Sequence, residues 1–289
     1  MIGRSVRPGI KGRQMRLLVC ALVVLGFGTP AFAQDFDVLR GALSVGPPSY
    51  NNWSGFYFGG QGAYASGGAN FAQATGPLIS YLLRNTTVEQ DYNISGWQVL
   101  GKSDSSTTGF GGFVGYNSQW SDVVLGLEAN YTNLQWSASS SDVLARRMDS
   151  GSTTYNVSVT GTSSISLKDY ASLRARAGYV MGNFMPYGFV GFVVGRADIT
   201  KTATVAETEY SDSTGLLTGC LGTYPACSLT QSDNRSDQFI YGYSAGVGLD
   251  MAVTQNIFLR GEYEYIQFAG LGGLDLYLNN LRVGGGFRF

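Results

Sequence analysis

Two carboxylates, Glu262 and Glu264, stand two residues apart beside Arg260, residue types from which acid–base chemistry can be built. Two residues is also the period of a β-strand, which places all three on one face. An ion network is then the stronger reading than a catalytic pair. Gly60-x-Gly62-x-x-Ala65 fits a dinucleotide fingerprint on paper, but no helical pattern follows it and no acid sits about 20 residues on. Cys220 and Cys227 read as a small disulfide loop; the alternative is a redox pair, which is more often spaced C-x-x-C. Arg146-Arg147 offers two cations to phosphates, though solvated loop charges explain it more simply. Trp53, Trp120, Trp136 and Tyr265 read as interfacial aromatic girdles rather than ligand platforms. The chain has no His, which removes the commonest general base and the commonest zinc ligand. A Ser-His-Asp triad and a HExxH site are impossible, and a haem would have to rely on Tyr, Met or Cys. No catalytic residue, metal site or cofactor is expected.

The elements that must hold these residues follow from composition. Of 289 residues, 41 are Gly and 13% are charged, against averages of roughly 7% and 25%. Lys and Arg number 19 and Asp and Glu 20, so nothing points to nucleic acid. Arg4, Arg7, Lys11, Arg13 and Arg16 precede an apolar run at 17–27 and the A-x-A site Ala31-Phe32-Ala33. This predicts a signal peptide over 1–33, cleaved between Ala33 and Gln34. The run is too short to span a membrane, which takes about 20 apolar residues. Met15 is an alternative start, and Cys20 belongs to the apolar run. Export takes Cys220 and Cys227 into an oxidising compartment. Residues 34–52, with Pro47-Pro48, read as a periplasmic tether, and 53–289 as one domain.

Beyond Trp53 the chain alternates between short Gly- and aromatic-rich segments of period two and longer polar stretches. Eight strands are predicted, at 56–64, 110–117, 123–132, 173–179, 187–197, 243–249, 259–265 and 281–289. Strands of about nine to eleven residues cross a bilayer when tilted. Both faces of 187–197 are apolar, which leaves its phase open. The gaps at 119–122, 181–185 and 252–255 are short; those at 65–108, 133–170, 198–237 and 266–280 are long. All long connections therefore emerge at one end. An eight-stranded antiparallel transmembrane β-barrel follows, with four long outer loops and three short periplasmic turns. Closure removes the edges that lipid cannot hydrogen-bond. The alternative is a secreted eight-stranded sandwich.

One face carries Glu128, Asp250, Glu262 and Glu264 with Arg174, Arg176, Arg260, Arg282 and Arg288. Toward lipid, an Arg at the midplane costs about 2–4 kcal/mol, so these nine charges point inward. Buried glycines are expected to make room for the long arginines.

Several segments recur in order. They are Trp53-Ser54-Gly55-Phe56-Tyr57-Phe58-Gly59-Gly60, Gly115-Tyr116-Asn117, Gly126-Leu127-Glu128-Ala129, 173–179, Glu262-Tyr263-Glu264-Tyr265 and the ending 282–289. With them the chain resembles the outer-membrane beta-barrel domain family, within it the porin-like outer-membrane proteins of alphaproteobacteria. The resemblance implies a Gram-negative outer-membrane location. It implies Phe287 and Phe289 as the signal read by the barrel-insertion machinery, and outer-membrane lipids and lipopolysaccharide as surroundings. It also implies peptidoglycan within reach of the tether. The expected role is a structural barrel that supports the envelope and displays surface loops. A narrow porin and a loop-borne binding or adhesion module are the alternatives.

Overall fold

The computed structural model describes residues 52–221, 227–269 and 273–289. The expected signal segment, its Ala33/Gln34 junction and the tether up to residue 51 lie outside the described residues. The elements run β1 (Gly55–Asn70), α1 (Gly76–Leu82), α2 (Thr87–Tyr92), a 3₁₀ turn (Ile94–Gly96), β2 (Lys102–Trp120), β3 (Val123–Ser150), β4 (Thr153–Tyr179), β5 (Phe184–Ser211), β6 (Leu217–Cys220), β7 (Ser228–Ala252), β8 (Ile257–Ala269) and β9 (Asp275–Arg288). No helix among the described residues is long and apolar enough to cross a membrane.

Eight strands close into a ring in the order β4-β3-β2-β1-β9-β8-β7-β5, with β4 pairing β5; the short β6 adds to the outer end of β5. Every ladder is antiparallel. The ring shuts where Tyr57 pairs with Arg288 and the Phe289 amide donates to the Phe56 carbonyl at 3.0 Å. Opposite charges face each other across three ladders: Glu128 and Arg174, Asp250 and Arg260, Glu262 and Arg282. A one-residue slip in any of them would send its acid or its Arg to lipid, so these pairs fix the register.

The outward face is apolar where the chain meets lipid: Phe56, Leu127, Val247 and Val283 are all more than 60% exposed. In the ambiguous stretch of β5, Tyr187, Phe189, Val193 and Ala197 point inward, while Val190, Phe192 and Val194 point out.

The strands are longer than the sequence predicts. β3, β4 and β5 have 28, 27 and 28 residues, roughly 90 Å of extended chain at about 3.3 Å per residue. Most of 133–170 and 198–237, read as loops, is paired strand. β3 and β4 meet at a tight turn where Gly151 takes φ +63°, a left-handed conformation that glycine adopts without strain. The reason the extension escaped notice is its outward face. Above the lipid it carries Ser141, Thr162, Thr202 and Ser232 in one rung instead of apolar side chains. The inward face is largely apolar with Val157, Val159, Ala203 and Val205, against which Ile79, Leu83 and Val88 of the helical segment pack, though Lys201 and Glu207 are buried on it too. Ladder irregularities align where the extension begins, between Asn133 and Trp136, Leu167 and Asp169, and Ala197 and Ile199. Such bulges bend a strand and re-aim its side chains.

The structure also corrects the aromatic girdle. Trp136 lies just past a bulge and is buried, its indole donating to the Ser105 carbonyl at 2.9 Å; Trp53, ahead of β1, is buried too. Trp120 and Tyr265 remain outward. Arg146 and Arg147 belong to β3 rather than to a loop.

Candidate functional site

The barrel interior is built in layers. At the turn end an aromatic cluster includes Trp53, Phe113, Met185 and Phe258. Beyond the middle a second apolar layer includes Leu134, Trp136, Leu167, Ile266 and Phe268. Between them lie eight of the nine predicted charges, with Arg288 at the turn end, and all nine are at 5% exposure or less. Strand parity alone brings them inward: their residues alternate with the lipid-facing set on β3, β4, β7, β8 and β9.

Eight of the nine form one connected net. Arg174 pairs with Glu128 and, at 3.2 Å, with Glu262. Arg176 reaches Glu128 at 3.1 Å and Asp250 at 2.7 Å. Arg260 donates from Nε and Nη2 to the two oxygens of Asp250, at 2.8 and 3.0 Å, and from Nη1 to Glu128 at 2.7 Å. Arg282 lies 2.8 Å from Glu264 and 3.3 Å from Glu262. Four acids and four bases sum to zero formal charge. Arg288 stands elsewhere: its Nε donates to the Gln255 carbonyl at 2.6 Å, and its guanidinium lies 4.4 Å from the Trp53 ring centre.

Sequence reasoning missed the neutral members. The Tyr57 hydroxyl donates to Glu128 at 2.8 Å and the Tyr187 hydroxyl to Glu262 at 2.6 Å. Gln61 donates to Asn130, which donates in turn to Glu128 at 3.0 Å. The arginines also lie on rings, Arg176 at 3.9 Å from Tyr187, Arg260 at 4.1 Å from Phe113 and Arg174 at 4.3 Å from Phe189, contacts that strengthen when desolvated. Neither tyrosine shares a strand with the charges, so parity gave no signal for them; the signal is the glycines on the neighbouring strands, Gly115 beside Tyr57 and Gly248 beside Tyr187.

The expected use of glycine needs correction. The space beside the inward glycines is taken mostly by aromatic rings. A Cβ on Gly115 would strike Tyr57, and one on Gly248 would strike Tyr187. Gly191 beside Arg174 and Gly126 beside Arg176 fit the expectation.

Chemically the net is a crosslink. It ties β3 and β4 to β7, β8 and β9 across the interior, with Tyr57 of β1 and Tyr187 of β5 hydrogen-bonded to it, and presents no nucleophile beside a free base. Among the described residues no group of three or more Cys, Asp or Glu is placed to hold a metal. At the outer end Cys220 and Cys227 are joined by a disulfide, as their spacing predicts. At the level where the extension begins, hydrogen bonds from exposed Arg196, one of them at 2.9 Å, hold the Asp169 carboxyl below the ordinary carboxylate range. Phe287 and Phe289 contact each other, and Phe289 also stacks on Phe58, both on the outer surface.

A family model described as outer membrane protein beta-barrel domain matches residues 19–289. The 25 kDa outer-membrane immunogenic protein of Brucella ovis is 28% identical over 202 residues, covering 67% of this chain and 72% of that protein. The 22 kDa outer membrane protein of Rhizobium leguminosarum bv. viciae is 27% identical over 219 residues, covering 75% of this chain and 65% of that protein. Among solved structures, Ail of Yersinia pestis aligns over 82% of this chain and all of its own, with 15% identity and a TM-score of 0.34.

Proposed function

The chain belongs to the outer membrane protein beta-barrel domain family of Gram-negative bacteria, and on that premise we propose that it is a structural barrel that supports the envelope and displays extended surface hairpins. One observation carries this reading. The interior is closed by a neutral eight-charge net held between two apolar layers. Opening a water path through the middle would mean separating charges that are buried and paired. Breaking such a pair costs about 3–5 kcal/mol. The barrel therefore serves as an anchor, and what it anchors is the outer extension with its disulfide. No catalytic role is proposed. On the same reading, exposed Phe287 and Phe289 offer the last strand to the insertion machinery.

Conductance tests this. Purified protein in planar bilayers should give no steps, or small and rare ones. Large, stable, ion-selective steps would favour the narrow porin instead.

A further inference from the structure

The outer extension is not closed as the barrel is. β2 pairs with β3 only as far as Leu134; beyond it, among the described residues, β3 pairs with β4 alone. An outer edge with unpaired backbone groups is a template for another strand. At its centre the Val143 amide donates to the carboxylate of its own neighbour Asp142 at 2.7 Å rather than to a strand. Further along, the Asp149 carbonyl accepts from the Tyr92 hydroxyl. The odd-numbered backbone groups therefore face the free side. Of residues 141–147 all are exposed except Leu144, which packs partly against the helices beneath; the Arg146 guanidinium lies 4.6 Å from the Trp97 ring, a contact it would exchange for Asp142 of a second copy.

This edge is complementary to itself. Turned antiparallel about Leu144, it sets Asp142 opposite Arg146, Val143 opposite Ala145, and Ser141 opposite Arg147. Val143 and Ala145 would exchange backbone hydrogen bonds. Asp142 and Arg146 would then fall at a non-hydrogen-bonded position, where side chains approach most closely. Opposite charges there stabilise and like charges destabilise. Every copy in one membrane runs β3 outward. Two β3 edges in that membrane meet parallel and in register, with Arg146 against Arg146 and Asp142 against Asp142. The antiparallel arrangement needs the second copy in a facing membrane.

We propose that residues 141–147 of β3 form a homotypic docking edge that pairs with the same edge of a second copy of this chain on an opposing outer membrane. The proposal rests on the reading that the hairpins are displayed outward. The test uses two fluorescent populations of cells carrying the full protein. Wild-type cells of both colours should form mixed clusters that loosen in high salt. Asp142→Arg cells alone and Arg146→Asp cells alone should each lose clustering to the level of cells without the protein. Mixed together, these two should cluster with each other again, because each now complements the other. Wild-type cells that stay dispersed, single variants that cluster unchanged, or a mixture that fails to cluster would each overturn the proposal. As a second measurement, Val143→Cys cells mixed with Ala145→Cys cells should give a disulfide-linked dimer on non-reducing gels, and its absence contradicts the pairing. Labelling of Ser141→Cys with a membrane-impermeant maleimide separates the two levels. Failure to label removes the outward display itself, whereas labelling without clustering removes the pairing alone.

Discussion

Glu128 accepts hydrogen bonds from Tyr57, Asn130, Arg174, Arg176 and Arg260, which makes it the hub of the interior. Glu128→Gln leaves three guanidinium groups facing a neutral amide in a buried site. Refolded barrel in detergent should lose about 3–5 kcal/mol of stability, read as a lower urea midpoint. A loss below about 1 kcal/mol, the level of an exposed pair, would contradict the net's structural role. Outside the membrane, Glu207 is a different case. Burial, helped by the negative charge of Glu209, pushes its carboxyl up to about 7 from 4.5. The fold therefore favours the protonated form. Its stabilisation is complete below about pH 4.5 and is lost as pH rises through about 7. Amide exchange around β5 and β6, corrected for intrinsic rates, should speed up across that window. Glu207→Gln should flatten the dependence, and a variant that keeps it would move the titration to another group. The site was legible as far as charge and parity reach, because an Arg on a period-two strand has one tolerable direction in lipid. Tyr57 and Tyr187 were not singled out because a ring suits either face, and only the neighbouring-strand glycines that receive them decide it.

At the scale of elements, the disulfide and the extension share one role. Cys220–Cys227 closes the end of β6 onto the start of β7, beside the buried Glu207 amide that donates to the Cys227 carbonyl. A loop this short contributes about 2–3 kcal/mol on the loop-entropy model. Cys220→Ser with Cys227→Ser should expose 211–221 to protease while the barrel keeps its compact, heat-modifiable migration on gels. Loss of the compact form would mean that the bond supports the barrel itself. In the membrane the strands could be read because lipid demands an apolar residue at every second position, as at Leu125, Leu127 and Ala129. Above it water makes no such demand. Thr200, Thr202 and Thr204 keep the alternation, but with hydroxyls outward the stretch resembles a loop. The irregularity on β4 changes parity, from Tyr170, Ser172 and Arg174 to Leu167 and Ile165, whereas on β3 and β5 the inward set carries straight through to Trp136 and Ile199, so extending the strand would have placed Trp136 inward. The phase of β5 was hidden for another reason: glycines and large apolar residues fall on both of its faces, and the ring packing of Tyr187 and Phe189 inside the barrel settles it.

For the whole molecule, one set of strands serves two solvents. Below the row of bulges the outward face is hydrocarbon and the inside holds a neutral ionic layer. Above it the outward face is polar and the inside is a largely apolar core capped by α1 and α2. This inversion of the outer face along continuous strands is the central claim, and spin labels read it directly. A nitroxide at Val283, on the lower outward face, should be reached by oxygen and shielded from a water-soluble relaxation agent. One at Thr202, on the upper outward face, should show the reverse. Equal aqueous accessibility at both positions in reconstituted membranes would contradict the account.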